Sequence, residues 1–155
     1  MVQADNKFFK YLKGDIKYIY AIGAQNGLRV SDVINLKVKH LYIHQPTIKE
    51  QKTGKSKRIY IPKQVRLELQ LKTKKRHPEE WLFQSPTNAS KHITRQAVFK
   101  AFKKAQEQSN TKNNVGTHTM RKNYAQKLLR KGKSYSQIQA KLNHRSVSDT
   151  LRYLI

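Results

Sequence analysis

Apolar residues recur at helical spacing along most of this chain, and the pattern changes to short β-type runs between residues 41 and 62. Apolar side chains three and four positions apart share one face of a helix, whereas β-branched and aromatic runs bounded by turn residues favour strands. The predicted strands cover residues 41–44, 47–51 and 58–62, with Thr53–Lys55 as turn material. The predicted helices cover residues 8–25, 31–35, 63–75, 94–108, 118–130 and 134–142. The chain is therefore predicted to have an α+β fold that is mostly helical, with one small three-stranded antiparallel sheet.

Two of the predicted helices carry specific signals at one end. Gly27 follows the first helix, and glycine readily adopts the left-handed conformation that ends helices. Ser134 and Gln137 have the spacing of a capping box, in which each side chain bonds to the backbone N–H of the other residue. We therefore expect a helix to end at Gly27 and another to start after Ser134.

The chain is strongly basic, with 33 Lys and Arg residues against 9 Asp and Glu and a formal net charge of +24. Such a chain repels itself unless it meets a polyanion, so nucleic acid is the predicted partner and an anionic membrane surface ranks second. Residues 49–76 hold eleven Lys and Arg residues, and residues 108–155 hold ten. One such cluster is often only a solvated surface, but two on one chain favour a face that tracks phosphates. No stretch approaches the ~18 apolar residues of a membrane helix, so no membrane-spanning segment is expected. The partner that we expect is nucleic acid and not a membrane.

The chain length and the absence of cysteine exclude several classes of protein. A chain of 155 residues favours one domain, and we expect residues 1–155 to form it. Without cysteine there is no disulfide scaffold, no Cys-based zinc site and no thiol nucleophile. We expect an intracellular protein with no metal and no cofactor.

Five side chains are candidates for chemistry, although each has an ordinary structural role when taken alone. Arg29 follows a helix-ending glycine and is typical of a surface or ion-pairing arginine. His118 and Arg121 share a helix face, but the carboxylate partners of a metal site are missing. His144 near a helix end is typical of a structural histidine stabilised by the helix dipole. Tyr153 lies among leucines, which favours core packing.

Taken together and in chain order, these residues resemble the tyrosine recombinase (phage integrase) family. The segments that carry the resemblance are Gly27-Leu-Arg-Val-Ser-Asp-Val33, Glu50-Gln-Lys-Thr-Gly54, Arg58-Ile-Tyr-Ile-Pro62, Thr117-His-Thr-Met-Arg121, and Leu142-Asn-His-Arg-Ser-Val-Ser-Asp-Thr150 with Tyr153. The first segment is similar to the family's first box, and the next two are similar to its lysine-bearing hairpin. The remaining segments are similar to its second box. The resemblance implies the mostly helical catalytic domain of that family.

The family's reaction, implied by the resemblance, is cleavage and exchange of DNA strands through a 3′-phosphotyrosyl intermediate, without metal or ATP. A phenol such as that of Tyr153 can attack phosphorus, and the phosphotyrosine retains the bond energy, so religation needs no ATP. Two arginines can hold the non-bridging oxygens and stabilise the charge that develops on them. Arg29 and Arg121 are the candidates for this role.

The remaining roles of the reaction are proton transfers. His144 is the candidate donor to the same phosphate, and His118 the candidate to orient or deprotonate the tyrosine. Lys52, near the tip of the predicted hairpin, has the reach to protonate the departing 5′ oxygen. Lys55 and Lys57 lie on the same hairpin, so the assignment of the lysine stays open at this point.

The chain departs from the family's usual pattern at two positions and at both ends. Asn143 stands where the family usually places glycine, and Met120 where it usually places leucine. Family members normally carry an N-terminal helical domain that clamps the other face of the DNA and a C-terminal segment that docks on a neighbouring subunit. The first box starts about 27 residues into this chain, which stops two residues after Tyr153. We therefore expect an excised catalytic domain or a degenerate gene product, with Tyr153 on a frayed terminus.

The resemblance also implies a partner and a setting. The expected partner is double-stranded DNA, with a possible homotetramer on DNA and a monomer in solution. The expected location is the cytoplasm, with the protein encoded by a bacterium or a phage.

Three other functions fit parts of the same pattern. A non-catalytic basic DNA-binding protein would use residues 118–130 and 134–142 as a helix-turn-helix, but it has no use for Tyr153. A ribosomal type of RNA-binding protein would fit the charge, but it predicts no convergence of Arg29 with His118 and Arg121. A type IB topoisomerase or telomere resolvase uses a similar set of residues, but the chain is short for either.

Overall fold

The structure, a computed structural model, describes residues 7–112, 115–116 and 118–154. Seven α-helices, one 3₁₀-helix and two strands make up its named elements within these ranges. In chain order they are α1 (Asp15–Asn26), α2 (Val30–Ile34), the 3₁₀-helix (Val38–Tyr42), β1 (Thr47–Lys49), β2 (Ser56–Arg58), α3 (Lys63–Lys72), α4 (Arg95–Ser109), α5 (Thr119–Arg130), α6 (Tyr135–Leu142) and α7 (Val147–Leu151). This confirms the predicted fold class, a mostly helical α+β fold. No helix in the described ranges is long and apolar enough to cross a membrane.

Two apolar clusters hold these elements together. The larger one includes a trio of aromatic rings, Phe8, Tyr20 and Phe102, which meet edge to face at centroid distances of 5.4 to 5.9 Å. The smaller one is formed by α5 and α6 around Ala125, Leu128, Ile138 and Leu142. Tyr153 and Leu154 pack against this second cluster. The end of the described chain is therefore fixed to α5 and α6 by apolar contacts.

The first predicted helix, residues 8–25, is interrupted. Residues 7–9 are helical, the following residues form a turn, and α1 begins only at Asp15. Gly14, at the N-cap, has a φ of 58°, which lies outside the helical range. Asp15 then places a carboxylate in the first turn, where the helix dipole favours it. The apolar spacing is continuous across the break because Phe8 and Leu12 are buried together with α1.

The sheet has two antiparallel strands rather than the predicted three. β1 pairs with β2 in the register Thr47 to Arg58, Ile48 to Lys57 and Lys49 to Ser56. The prediction of a strand at residues 41–44 is wrong, since Val38–Tyr42 is a 3₁₀-helix. Leu41 is buried while its two successors are exposed, so burial does not alternate as it would in a half-buried strand.

The predicted helix ends at Gly27 and Ser134 are confirmed. Gly27 is left-handed, with a φ of 68°, and a Cβ at this position would overlap the ring of Tyr124 on α5. Only glycine therefore lets α1 end this close to α5. Ser134 and Gln137 form the expected capping box at the start of α6, which ends at a left-handed Asn143 with a φ of 55°. The end of α1 at Gly27 thereby places the first-box segment beside α5, which begins in the second-box segment.

Candidate active site

An open cleft of about 890 Å³ lies between the β1–β2 loop, the start of α5 and the segment after α6. Its lining residues are Arg29, Lys52, Thr53, Lys55, His118, Lys122, Asn143, His144, Arg145, Asp149, Arg152 and Tyr153. Six of these are Lys or Arg and one is an acid, so the cleft has a strongly positive potential. Five of the six site residues predicted from the sequence line it. The sixth, Arg121, lies against two of the lining side chains.

Arg121 on α5 is fully buried, and backbone carbonyls from two other segments hold its guanidinium. Nη1 donates to the carbonyl of Gly27 at 2.7 Å, and Nη2 donates to the carbonyl of Leu142 at 2.9 Å. The ends of α1 and α6 therefore fix the orientation of the guanidinium. Its Nε is buried without a hydrogen-bond partner among the described residues. Burial, and next the positive charge of Arg29, lower the pKa of Arg121.

His144 is held as one tautomer by two neighbours. Its Nε2 lies 3.0 Å from Nη2 of Arg121, and a guanidinium has only donors, so Nε2 accepts this bond. The ring proton then lies on Nδ1, which is 2.9 Å from Oγ1 of Thr150 and donates to it. Burial, followed by the charges of Arg121 and Arg29, lowers the pKa of His144 to about 4. The imidazole is therefore neutral at pH 7.

Tyr153 lies inside the cleft between two histidines. Its hydroxyl is 3.1 Å from Nδ1 of His118, and its ring stacks on His144 with 5.0 Å between the centroids. The guanidinium carbon of Arg121 lies 5.8 Å from the centre of the same ring. The sequence predicts Tyr153 on a frayed terminus, but in the structure it is half-buried and held by these contacts.

His118 is the N-cap residue of α5 and is itself exposed at the rim of the cleft. Its ring is nevertheless partly shielded from solvent, and this partial desolvation, followed by the charges of Arg121 and Arg29, lowers the pKa of His118. A neutral imidazole at this distance from a phenol can accept its proton. Thr117, the first residue of this second-box segment, lies outside the described residues.

Arg29 is the N-cap residue of α2 and reaches the cleft in an ion pair. Its Nη1 donates to Oε2 of Glu50 at 2.7 Å. The side chain of Arg29 is 15% exposed and that of Glu50 only 1%. A guanidinium has five N–H donors, so donors remain for a ligand in the cleft.

The structure separates the three lysines that the sequence left open. Lys52 and Lys55 line the cleft and are exposed. Lys57 is half-buried, its Nζ donates to the carbonyl of Lys141 at 2.8 Å, and it lies over the ring of Tyr124. Burial lowers the pKa of Lys57 to about 8. Lys57 thus has a structural position, and Lys52 and Lys55 are the hairpin lysines that line the cleft.

Two buried acids beside the site were missed as site residues by the sequence reasoning. Glu50 pairs with Arg29 and accepts a bond from the side-chain amide of Asn143. Asp32 accepts the backbone N–H of Gln51 at 2.8 Å, and burial raises its pKa. The only signal in the sequence is that Asp32 lies in the first-box segment and Glu50 in the hairpin segment of a chain that has few acids. Among the described residues, no group of three or more His, Cys, Asp or Glu side chains is placed to hold a metal ion.

The chain is similar to known integrases and recombinases in sequence and in fold. The model of the phage integrase family matches residues 2–154. The Bacillus subtilis protein named Probable integrase/recombinase YoeC is 30% identical over 143 residues, which are 88% of this chain and 75% of that protein. The chain spans less than half of three further curated relatives.

Solved structures of other recombinases and integrases share the fold. XerA recombinase superposes with a TM-score of 0.80 at 20% identity, over 100% of this chain and 57% of that one. Lambda integrase in a dimer bound to a COC′ core site superposes with a TM-score of 0.71 at 18% identity, over 97% of this chain and 56% of that one. At 18 to 20% identity, the structural similarity shows only that the folds are shared. Membership of the family is shown by the family model, which matches residues 2–154. The chain therefore belongs to the phage integrase family and folds as the catalytic domain of a tyrosine-type site-specific DNA recombinase.

Proposed function

We propose that this chain cleaves and rejoins double-stranded DNA at a specific site, with Tyr153 as the nucleophile. The observation that carries the proposal is the hydroxyl of Tyr153, which lies 3.1 Å from Nδ1 of His118 inside the basic cleft. The phenol oxygen attacks the scissile phosphorus, and the bond from phosphorus to the 5′ oxygen breaks. The product is a 3′-phosphotyrosyl link and a free 5′-hydroxyl strand. Attack by a 5′ hydroxyl on this link reverses the step and rejoins the DNA.

His118 and a cleft lysine would move the protons of this reaction. His118 is neutral at pH 7 because its pKa is lowered, so its Nδ1 can accept the phenol proton as the attack proceeds. The departing 5′ oxygen needs a proton, and Lys52 is the proposed donor because it lies on the loop at the cleft. One proton is taken up and one is delivered, so the step is balanced without metal or cofactor.

Arg29 and Arg121 would bind the non-bridging oxygens of the phosphate. His144 would donate to the same phosphate once the bound anion favours a proton on its Nε2, since its single N–H bonds to Thr150 in the free protein. Two guanidinium groups supply fixed charge for the crowded transition state, where charge on these oxygens increases. Arg121 is held rigidly by two carbonyls and has an unpartnered Nε, which suits a preorganised anion site. The ring of Tyr153 lies over this guanidinium in the free protein. We propose that entry of the scissile phosphate moves the ring aside and brings its oxygen toward phosphorus.

The proposed partner is double-stranded DNA. Support comes from the net charge of +24 and from the cleft lined by six Lys or Arg residues. The lambda integrase structure that shares this fold is bound to a core site, and XerH recombinase is bound to a difH substrate. We propose a monomer in solution and a homotetramer on DNA, acting in the cytoplasm of a bacterial host. The activity of the whole recombinase belongs to the same proposal, since the chain spans little more than half of the XerA chain.

A trapping experiment tests the proposal without knowledge of the target site. The protein is incubated with a pool of nicked duplexes of random sequence, in which the short 5′-hydroxyl fragment diffuses away after cleavage and rejoining is prevented. Adducts that survive denaturation are isolated and their DNA is sequenced. We expect the wild type to form adducts that share a sequence and Tyr153→Phe to form none.

The matched control is Tyr135→Phe, which removes the hydroxyl of an exposed tyrosine outside the cleft and should leave adduct formation unchanged. All three proteins should bind DNA with the same affinity and the same salt dependence, because no cation is altered. Equal adduct yields from wild type and Tyr153→Phe would overturn the assignment of the nucleophile. Salt-sensitive binding with no adduct from the wild type would instead support the non-catalytic DNA-binding protein.

A further inference from the structure

We infer that Glu50 is a positioning residue for strand cleavage: its buried carboxylate fixes Arg29 in the cleft and joins it to the segments that carry Lys52 and His144. The inference rests on the proposed function. The sequence places Glu50 in a lysine-rich hairpin, where an acid would ordinarily be a solvated surface residue. In the structure it is among the most buried charged side chains, with 1% of the residue exposed.

Both carboxylate oxygens of Glu50 have a partner from another part of the chain. Oε2 accepts from Nη1 of Arg29 at 2.7 Å, and Oε1 accepts from the side-chain amide of Asn143. A buried carboxylate is strongly destabilising once it loses its partner, so these contacts hold the facing groups in a fixed geometry. Arg29 is thereby held on one side by Glu50 and keeps its remaining donors for the cleft.

The backbone of Glu50 closes the loop that carries Lys52. The N–H of Glu50 donates to the carbonyl of Lys55 at 2.9 Å, and the N–H of Gly54 donates to the carbonyl of Glu50 at 2.9 Å. Lys52 therefore lies on a short loop whose base is Glu50. The next N–H, that of Gln51, donates to Asp32 in the turn after Arg29, which ties the loop to α2 a second time.

The contact with Asn143 extends this link to the second box. Asn143 is the left-handed residue that ends α6, and His144 follows it directly. Leu142, just before it, gives its carbonyl to Arg121. Glycine, which the family usually has at the position of Asn143, has no side chain for such a bond. In this chain the amide instead connects the turn before His144 to the carboxylate that holds Arg29.

Charge supports the same role. The carboxylate lies close enough to Arg121, His144 and Lys57 to favour their protonated forms. It therefore offsets part of the repulsion between cations that must lie close together at one phosphate. A neutral side chain at this position would leave the repulsion between Arg29 and Arg121 with less compensation, since only Asp32 would remain as a buried acid near both.

The test compares Glu50→Gln with wild type and with the matched control Glu107→Gln, which removes one charge from an exposed position on α4. The substrate is the nicked duplex that the wild type selects in the trapping experiment. We expect Glu50→Gln to bind DNA as tightly as wild type and to form the adduct about 10- to 100-fold more slowly, as for a misplaced catalytic group. Glu107→Gln should react at the wild-type rate. Equal rates for wild type and Glu50→Gln would overturn the inference, whereas the absence of any wild-type adduct would overturn the proposed function.

A second substrate separates positioning of Arg29 from general loss of structure. A methylphosphonate at the scissile position replaces one charged non-bridging oxygen by a methyl group, so the reaction needs less stabilisation by arginine. On this substrate we expect Glu50→Gln to react within about threefold of wild type, because the displaced guanidinium then matters less. An equal defect on both substrates would overturn the role through Arg29.

Asn143→Gly keeps the inference testable if Glu50→Gln does not fold. Glycine adopts the left-handed conformation without strain, and Glu50 keeps its ion pair, so this variant loses only the amide contact. We expect Asn143→Gly to cleave more slowly than wild type, and cleavage at the wild-type rate would overturn the connection through Asn143. Where Glu50→Gln folds, the double variant should show no further loss beyond that of Glu50→Gln alone. Additive losses would show that the two residues act separately and would overturn the connection through Asn143.

Discussion

At the residue scale, the site depends on which groups are charged before DNA arrives. His144 is neutral because its ring is buried and because Arg121 donates to its Nε2. Arg121 stays cationic because a guanidinium does not lose its proton in proteins. His118 is also shifted toward the neutral form, and its Nδ1 faces the hydroxyl of Tyr153. The free protein therefore holds a neutral imidazole next to the hydroxyl of the proposed nucleophile and a rigid cation next to the ring of that tyrosine.

The lowered pKa of His144 predicts how stability depends on pH. In the unfolded chain this ring titrates near its ordinary value of 6.5, and in the folded protein at about 4. Between these values the unfolded state binds more protons, so the free energy of unfolding should decrease as the pH falls from 6.5 to 4. The contribution of the neutral His144 ring to the free energy of unfolding is therefore complete above pH 6.5 and lost below about pH 4. His118 and His40 are shifted the same way, so a variant is needed to isolate one ring.

The measurement is chemical denaturation of wild type and His144→Gln across that pH range. The difference in unfolding free energy between the two proteins should shrink as the pH falls. Only the wild type has this ring, and protonation of the ring favours the unfolded chain. Parallel pH profiles would contradict the assignment of a neutral His144 held by Arg121.

At the scale of elements, the short β1–β2 hairpin supplies two of the lysines that line the cleft, Lys52 and Lys55. Its strands pair at only three positions, and one of the paired residues, Lys57, is anchored on α6 through the carbonyl of Lys141. The loop beyond the strands is exposed, so Lys52 has reach while its base is fixed. The same element therefore combines a lysine anchored on α6 with an exposed one.

Lys52 is predicted to donate the proton to the leaving 5′ oxygen. Lys52→Ala should reduce the rate of adduct formation by roughly 10²- to 10⁴-fold, the usual contribution of a general acid. A substrate with sulfur in place of the bridging 5′ oxygen should restore the rate, since a thiolate leaves without a proton. Lys55→Ala is the matched comparison, because it removes the other exposed hairpin lysine of the cleft. If the sulfur substrate restored the rate of Lys55→Ala but not that of Lys52→Ala, the proton donor would be Lys55 instead.

At the scale of the whole molecule, the sequence predicts those parts of the site that depend on local pattern. The helix periods, the end of α1 at Gly27 and the capping box at Ser134 follow from nearby residues, and the structure confirms them. The break at Gly14 was missed because the burial of apolar residues continues across it. The strand predicted at residues 41–44 was wrong because Leu41 is buried as part of a 3₁₀-helix.

Contacts between segments that lie far apart in the chain could not be predicted from the sequence. The carboxylate of Glu50 meets partners 21 and 93 residues away, and no local pattern distinguishes it from a solvated acid. The position of Tyr153 depends on packing against α5 and α6 and on the ring of His144, so chain position alone suggested a frayed end. Convergence of the box segments follows from the folded molecule, in which Arg121 on α5 bonds to the ends of α1 and α6.

The most direct test of the central claim is to identify the residue that carries the DNA in the trapped adduct. Digestion of the isolated adduct followed by tandem mass spectrometry locates the modified side chain and the end of the DNA strand. The account predicts a 3′-phosphate ester on the hydroxyl of Tyr153. Attachment to any of the other seven tyrosines, to a serine, or through a 5′ phosphate would contradict it.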